Sequence, residues 1–166
     1  MSTFLAIDFE TANYSRDSAC AVGLAVGTGG RIVDTRQFLI RPPGREFVFT
    51  HIHGLTWRSV KDAVTFDELW PTLVQYIKSA DFLVAHNAPF DRSVLEACCT
   101  RYRLTRPRKE FECTVRIARS VFGCNPAKLP DVCGLLGIPL KHHDAGSDAE
   151  ACGRIVLEAE KRGWAR

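Results

Sequence analysis

Carboxylates at the end of an apolar stretch are the first residues in this chain that could do chemistry. Asp8 and Glu10 close the apolar run that begins at Phe4, and residues two apart in a β-strand project from the same side of the sheet. Neighbouring carboxylates repel each other in a partly dry site, and a hard divalent cation such as Mg²⁺ or Mn²⁺ compensates for that repulsion. The pair is therefore a candidate metal site, with two exposed acids at a strand end as the plainer alternative.

Two further segments place an acid near the start of a predicted helix. In His86–Asp91 an apolar strand runs into a helix whose first turn contains Asp91. That acid either complements the helix dipole or points toward the carboxyl end of the strand, where open α/β sheets carry their sites.

Further on, a glycine-containing loop carries His143 ahead of Asp148. A loop histidine titrates near neutral pH and can accept a proton from water, so the segment predicts a general base beside a metal ligand.

In this order, the three segments resemble the three motifs of the DEDDh exonucleases. The matching residues are Asp8-x-Glu10, His86-Asn87-Ala88-x-Phe90-Asp91 and His143-x-Ala145-x-x-Asp148. The resemblance extends from about Phe4 to Ile155, and three motifs in order are far more specific than any one alone. His142 adjoins His143, but only His143 stands five residues before Asp148 as the motif requires. The family includes the proofreading subunit epsilon of bacterial DNA polymerase III, ribonuclease T and oligoribonuclease.

The resemblance implies an α/β protein of RNase H-like fold, with a mixed five-stranded sheet, helices on its faces and two Mg²⁺ or Mn²⁺ ions. By similarity, Asp8, Glu10 and Asp148 would ligate the first ion. Asp8 would be shared with the second ion, on which Asp91 would act largely through water, and His143 would be the general base. The implied activity is metal-dependent 3'-to-5' exonuclease cleavage that releases nucleoside 5'-monophosphates.

The resemblance also implies a set of residues that hold the terminal nucleotide: Phe9, Thr11, His53, Leu55, Asn87 and Phe90. Leu55 as a core residue and Phe90 as a helix-packing residue are the structural alternatives. Asp144 is interpreted as a further loop carboxylate.

The implied partners are 3' ends of single-stranded DNA, and by similarity to the proofreading subunit a DNA polymerase, in replication proofreading or DNA repair. An RNA-trimming enzyme is the main alternative, because phosphate chemistry does not read the 2'-hydroxyl. A nucleic-acid-binding module without catalysis and a metal-dependent endonuclease are further alternatives, because one fold can host several functions.

The predicted strands fit a sheet with antiparallel and parallel parts. Three strand-like runs come first, with a glycine-rich turn between the second and third that suits a hairpin. The proline-containing segment Arg41–Gly44 ends the third run, because proline has no backbone N–H to donate to a β-ladder. The runs are Phe4–Phe9, Ala19–Val26, Ile32–Ile40 and, later, Phe82–Ala85.

The predicted helices follow these strands. Thr65–Glu68 forms a capping box that opens a helix to about Ser79, and Ser147–Glu150 forms a second one that opens the last helix. Phe47–Arg58 shows no regular pattern. The remaining predictions are a helix at 89–101, a strand-then-helix unit at 111–122 and a short helix at 128–136.

Composition indicates a soluble globular protein, with 46% hydrophobic and 25% charged residues. We expect a single cytoplasmic domain covering residues 1–166, without membrane insertion, because no apolar run approaches the roughly 20 residues that cross a bilayer. Seven cysteines without Cys-x-x-Cys spacing are expected to be small core residues.

A net charge of +3 identifies no partner. The basic stretch Arg101–Lys109 either contacts phosphates or is a solvated loop.

Overall fold

A five-stranded mixed sheet forms the centre of the computed structural model, which describes residues 2–166. The strand order is β3-β2-β1-β4-β5; β1, β2 and β3 are antiparallel neighbours, whereas β4 runs parallel to β1 and β5 runs parallel to β4. The predicted α/β fold with a mixed five-stranded sheet is confirmed. The strands are β1 (Phe4–Thr11), β2 (Ala19–Thr28), β3 (Arg31–Leu39), β4 (Phe82–Ala85) and β5 (Phe111–Cys113).

Seven helices connect and cover the strands of the described chain. They are α1 (Thr50–His53), α2 (Trp57–Val60), α3 (Phe66–Ser79), α4 (Ala88–Arg101), α5 (Thr114–Phe122), α6 (Leu129–Leu136) and α7 (Ala145–Lys161). The capping box predicted at Thr65 is confirmed, since the Glu68 carboxylate accepts a hydrogen bond from the Thr65 amide at 2.7 Å. No helix within residues 2–166 combines the length and the apolar character that crossing a bilayer requires.

Strand β1 divides the core into two apolar clusters, because its side chains alternate between the two faces of the sheet. Phe4 and Ala6 pack with residues of α5, α6 and α7 on one face, whereas Leu5, Ile7 and Phe9 pack with residues of α3 and α4 on the other. By the same alternation Asp8 and Glu10 belong to the α7 face. Six of the seven cysteines are buried, in agreement with their expected role as core residues.

Two predictions of local structure were wrong. The last helix begins at Ala145, two residues before Ser147, because the Asp144 carboxylate caps it by accepting a hydrogen bond from the Ser147 amide at 3.1 Å. Asp144 is therefore a helix cap, which also pairs with Lys141 at 3.6 Å, and not a plain loop carboxylate. The segment Phe47–Arg58, expected to be irregular, contains α1 and the start of α2.

Glycine at position 23 allows α7 to approach the sheet. Gly23 lies opposite Asp8 in the β1–β2 register, and a Cβ atom at this position would overlap the carbonyl of Ala145 at the start of α7. The absence of a side chain therefore fixes the distance between the helix that carries Asp148 and the strand that carries Asp8.

We predict that Gly23→Ala lowers the free energy of unfolding by about 1 to 3 kcal/mol, because an added methyl must push α7 away from β2. Urea denaturation measures this loss. Gly44→Ala is the matched control, since a Cβ at Gly44 meets nothing within 4 Å, and it should stay within about 0.5 kcal/mol of wild type. Equal stability of the two variants would contradict the proposed close contact.

Candidate active site at the carboxyl edge of the sheet

Three elements deliver acids to the carboxyl end of β1 and β4. Asp8 and Glu10 come from β1, Asp91 from the first turn of α4, and Asp148 from the first turn of α7. Carboxylate oxygens of Asp8, Glu10 and Asp148 lie within 4.8 Å of one another. A register shift in the β1–β2 ladder follows Glu10, and such irregularities commonly re-aim side chains near functional sites.

Asp91 is the most deeply buried of the four acids. Its side chain is 1% exposed, and its Oδ1 accepts a hydrogen bond from the amide of Phe9 at 2.8 Å. Burial raises the pKa of Asp91 to about 8, although hydrogen bonds from backbone amides act in the opposite direction. Asp91 is thus tied to β1 at the residue between Asp8 and Glu10.

The other three acids also have raised pKa values. Burial is the largest cause for each, and the neighbouring carboxylates add to it for Asp8 and Glu10: the pKa of Asp8 rises well above its usual value, and that of Glu10 rises to about 8. Burial raises the pKa of Asp148, with the adjacent histidines opposing it. Ionising these groups together is unfavourable unless positive charge is present.

The donor set fits a hard divalent cation. Asp148 Oδ1 is buried and has no hydrogen-bond partner among residues 2–166, which is costly for a carboxylate oxygen unless something outside the protein satisfies it. All the clustered donors from Asp8, Glu10 and Asp148 are oxygens, the ligands that Mg²⁺ and Mn²⁺ prefer. A cation would offset the repulsion among these acids, and it would give Asp148 Oδ1 a partner.

Two adjacent histidines lie beside Asp148. His142 Nδ1 is 3.0 Å from Asp148 Oδ2, and the His143 amide donates to the same oxygen at 3.1 Å. The two imidazole rings stack with their centroids 3.7 Å apart. His143 has a φ of 66°, a left-handed conformation that is uncommon for residues other than glycine. Both side chains are therefore near the acids, but it is the ring of His142 that bonds Asp148.

The side chain of His143 favours the neutral state. Burial is the main cause that lowers its pKa, and the adjacent His142 lowers it further, while Asp148 raises it. A neutral imidazole near pH 7 can accept a proton, so its electrostatics suit the general base that the sequence predicts. The catalytic role of His143 stays a prediction.

The residues predicted to hold the terminal nucleotide lie around the end of β1. His53 Nδ1 accepts a hydrogen bond from the Leu55 amide at 3.0 Å, so its Nε2 carries the proton and donates to the Thr11 carbonyl at 3.0 Å. Leu55 is half-buried and packs with a small apolar cluster that includes Ala12 and Val60. These bonds hold α1 against the strand end that carries the acids.

The other three predicted nucleotide-binding residues differ in exposure. Phe9 lies between Asp8 and Glu10 on β1, and its ring is buried against Phe66. Asn87 is exposed and occupies the N-cap position of α4 with a φ of 63°, without a capping hydrogen bond from its side chain. Phe90 is half-buried, with the Arg16 guanidinium 4.6 Å from its ring centroid. Binding by any of the six residues stays a prediction.

Several residues that sequence reasoning left without a role also line the site. A cavity of about 720 Å³, called the carboxylate pocket below, is lined by three of the four acids, all but the buried Asp91, and by the two adjacent histidines, His86, Arg119 and Lys128. His86 Nδ1 lies 2.8 Å from the hydroxyl of buried Thr114, and burial lowers the pKa of His86 to about 4. His86 belongs to the second motif and could have been suspected, whereas Arg119 and Lys128 carry no signal in the sequence.

The basic stretch Arg101–Lys109 is not part of this pocket. None of its five basic residues lines the cavity. Arg101 pairs with Asp17 at 3.8 Å, Arg106 pairs with Glu96 at 3.8 Å, and Lys109 Nζ donates to the carbonyl of Ala80. These contacts favour a structural role for the stretch over phosphate binding.

Comparison with known proteins agrees with the geometry. The sequence model of the RNase T family, described as exonuclease, matches residues 5–156. A PolC-type DNA polymerase III from Caldanaerobacter subterraneus subsp. tengcongensis is 29% identical over 161 residues, which is 93% of this chain and 11% of that protein. A putative bifunctional exonuclease/endonuclease protein of Mycobacterium tuberculosis is 28% identical over 138 residues, 76% of this chain and 21% of that protein. The chain thus spans between about a tenth and a fifth of the length of these relatives.

Two solved structures share the fold. Exonuclease X, in complex with 5' overhanging duplex DNA, superposes with a TM-score of 0.79 at 22% identity and covers 98% of this chain and 94% of that chain. The nuclease domain of 3'hExo, a DEDDh family member bound to rAMP, has a TM-score of 0.82 at 18% identity, with coverages of 98% and 93%.

We predict that, in the absence of cations, the free energy of unfolding of Glu10→Gln increases relative to that of the wild type as pH rises. The pKa of Glu10 is about 8 in the folded state and 4.5 without the fold, so this acid's contribution to stability is present below pH 4.5 and is lost as pH rises through 8. A permanently neutral glutamine avoids the loss. Between pH 5 and pH 8.5 in EDTA, the advantage of the variant should grow by on the order of 1 to 3 kcal/mol in urea denaturation.

Glu46→Gln, at an exposed acid, is the control and should show no such pH trend. Adding Mg²⁺ at pH 8.5 should stabilise the wild type more than Glu10→Gln, because the cation binds the folded state through these acids. A constant difference in the free energy of unfolding between Glu10→Gln and wild type across this pH range would contradict the raised pKa of Glu10.

Proposed function

Because this chain belongs to the RNase T exonuclease family, we propose that it hydrolyses the terminal phosphodiester of single-stranded DNA in the 3'-to-5' direction and releases nucleoside 5'-monophosphates. The observation that carries the proposal is the convergence of Asp8, Glu10 and Asp148 on one pocket that His143 also lines. The fourth acid, Asp91, is buried and accepts a hydrogen bond from the amide of Phe9, between Asp8 and Glu10. A module that only binds nucleic acid has no need for this costly cluster of buried acids.

The acids are proposed to hold two divalent cations, Mg²⁺ or Mn²⁺. Asp8, Glu10 and Asp148 would ligate the first, while Asp8 and, largely through water, Asp91 would act on the second. Bound cations of this kind supply positive charge that stabilises the entering and leaving oxygens of a phosphoryl transfer. The Phe9 amide holds Asp91 in place by its hydrogen bond to Oδ1.

His143 is proposed to accept the proton of the attacking water. Its lowered pKa keeps the imidazole unprotonated near neutral pH, and its backbone amide is fixed by Asp148. His142 is a positioning residue in this scheme, because its ring bonds Asp148 and supports the His143 ring by stacking. The hydroxide attacks the terminal phosphorus, and the 3'-oxygen of the shortened strand leaves.

The choice of DNA rests on similarity. Relatives that align with over nine-tenths of the chain are PolC-type DNA polymerases III, so we also propose that the domain, residues 1–166, acts with a DNA polymerase in proofreading or in DNA repair in the cytoplasm. The second candidate is a 3'-to-5' exoribonuclease, favoured by the structural likeness to the 3'hExo nuclease domain bound to rAMP. Phe9, Thr11, His53, Leu55, Asn87 and Phe90 are proposed to hold the terminal nucleotide in either case.

Digestion of matched 5'-labelled DNA and RNA oligonucleotides tests these proposals. With Mg²⁺ or Mn²⁺ the products should form a ladder that shortens from the 3' end, and EDTA should stop it. The relative rates on the two sugars decide between DNA exonuclease and RNA trimmer. No cleavage of either nucleic acid with any cation would support the binding module instead.

We predict that Asp8→Ala abolishes turnover even at high Mn²⁺, because this acid is proposed to contact both cations. The same oligonucleotide digestion measures it. Asp62→Ala, which removes an exposed acid outside the pocket, is the control and should retain wild-type rates. Wild-type activity of Asp8→Ala would rule out the two-cation mechanism.

We predict that His143→Ala lowers kcat by about 10² to 10⁴, the usual contribution of a general base. His142→Ala should lower it less, since its role is to position the loop. Single-turnover kinetics between pH 5.5 and 9 measure both, and the acid limb of the pH profile should disappear only in His143→Ala. His51→Ala removes an exposed histidine as a control. If only His142→Ala loses the acid limb of the pH profile, the general base is His142 and not His143.

A further inference from the structure

A second groove opens directly from the carboxylate pocket. This groove, of about 510 Å³, lies between α4 and α5 and is called the α4–α5 groove below. Asn87, Val115 and Arg119 line both cavities. The two cavities are therefore neighbours along one surface, and a chain-like ligand in the carboxylate pocket can continue into the groove.

The walls of the α4–α5 groove are positively charged. Arg92, Arg116 and Arg119 line it, and Lys128 stands in the adjoining wall of the carboxylate pocket. The single acid in the groove lining is Glu96, which is engaged by Arg92 at 3.9 Å and by Arg106 at 3.8 Å. Its negative charge is thus already compensated by two cations.

Three of these cations have no acidic partner of their own. Arg116, Arg119 and Lys128 are exposed and form no ion pair with any acid in residues 2–166. Arg116 and Arg119 are three residues apart on α5, so they occupy one face, about 4.5 Å apart along the helix axis. Two free guanidinium groups are thus presented side by side to the groove.

We propose that the α4–α5 groove binds the phosphates of the nucleotides that precede the scissile bond. The proposal rests on the proposed function. Of the residues proposed for the terminal nucleotide, Thr11, His53 and Leu55 are joined by hydrogen bonds at the end of β1. Asn87, also proposed for it, borders both cavities, so the strand would continue past Asn87 into the groove. Lys128 and Arg119 line the carboxylate pocket where the strand would leave it, Arg119 also lines the groove, and Arg116 lines the groove alone. A groove of this charge attracts the backbone of a single strand whatever its bases.

Substrate length is the property that this groove controls. A dinucleotide occupies the carboxylate pocket, where it meets Arg119 at most, whereas a strand of about 12 nucleotides also reaches Arg116, which lines only the groove. The ratio of kcat/KM for the 12-mer to kcat/KM for the dinucleotide therefore reports groove binding separately from the chemistry at the acids.

The test variant is Arg116→Gln combined with Arg119→Gln, in which glutamine keeps a helix propensity close to that of arginine. The ratio of the two kcat/KM values should fall at least about fivefold, as expected for the loss of at least the Arg116 contact, a charge-assisted phosphate contact that only the longer strand makes. The matched control is Arg31→Gln combined with Arg108→Gln, since both arginines are exposed, line neither cavity and, like Arg116 and Arg119, form no ion pair with an acid in residues 2–166. The control should keep the wild-type ratio.

A binding measurement in EDTA provides a readout that does not depend on turnover. The anisotropy of a 5'-labelled 12-mer gives Kd at several salt concentrations. The slope of log Kd against log salt should decrease by about 1.4 in the test variant, because each phosphate contact with single-stranded nucleic acid contributes about 0.7. The control variant should retain the wild-type slope.

An unchanged ratio and an unchanged salt slope in the test variant would overturn the groove proposal while leaving the exonuclease intact. If the wild type cleaves nothing, the proposed function fails, and the salt slopes in EDTA still decide whether the groove binds the strand.

Discussion

The burial of four acids at one edge of the sheet, with repulsion among them, is the constraint on which the rest of this structure depends. Asp8, Glu10, Asp91 and Asp148 all have raised pKa values, with burial as the largest cause. The free energy that holds them together must come from elsewhere, and the two apolar clusters on the faces of the sheet supply it. A divalent cation turns this unfavourable arrangement into a binding site, since it attracts the same groups that repel one another.

The sheet places the acids through two simple features of strand geometry. Alternation along β1 sends its apolar residues to both faces and brings Asp8 and Glu10 to the face that α7 covers. The missing side chain of Gly23 then lets the first turn of α7 touch β2, and Asp148 lies in that turn. Close packing at one glycine therefore sets a distance between acids that are 140 residues apart in the chain.

Charge is distributed unevenly around the carboxylate pocket, and this asymmetry suits a polyanionic strand. Asp8, Glu10 and Asp148 line this pocket together with Arg119 and Lys128, which form no ion pair with them. The acids alone would repel a phosphodiester, so in the proposed reaction cations held by the acids and the basic side chains would act on different parts of the same strand. Both histidines also line the pocket, with His142 bonded to Asp148.

The sequence by itself determined the fold class, the strand alternation and the motif positions of the acids, because periodicity and short motifs are local properties of the chain. The cap of α7 by Asp144 is equally local, an Asp ahead of the first helical turn, although we expected a loop carboxylate there. The sequence did not determine that the ring of His142 would bond Asp148 or that Arg119 would line the pocket. Those outcomes depend on the left-handed turn at His143 and on the packing of helices from distant parts of the chain. Such contacts exist only after the tertiary structure has formed, since no spacing along the sequence encodes the direction in which a loop side chain points.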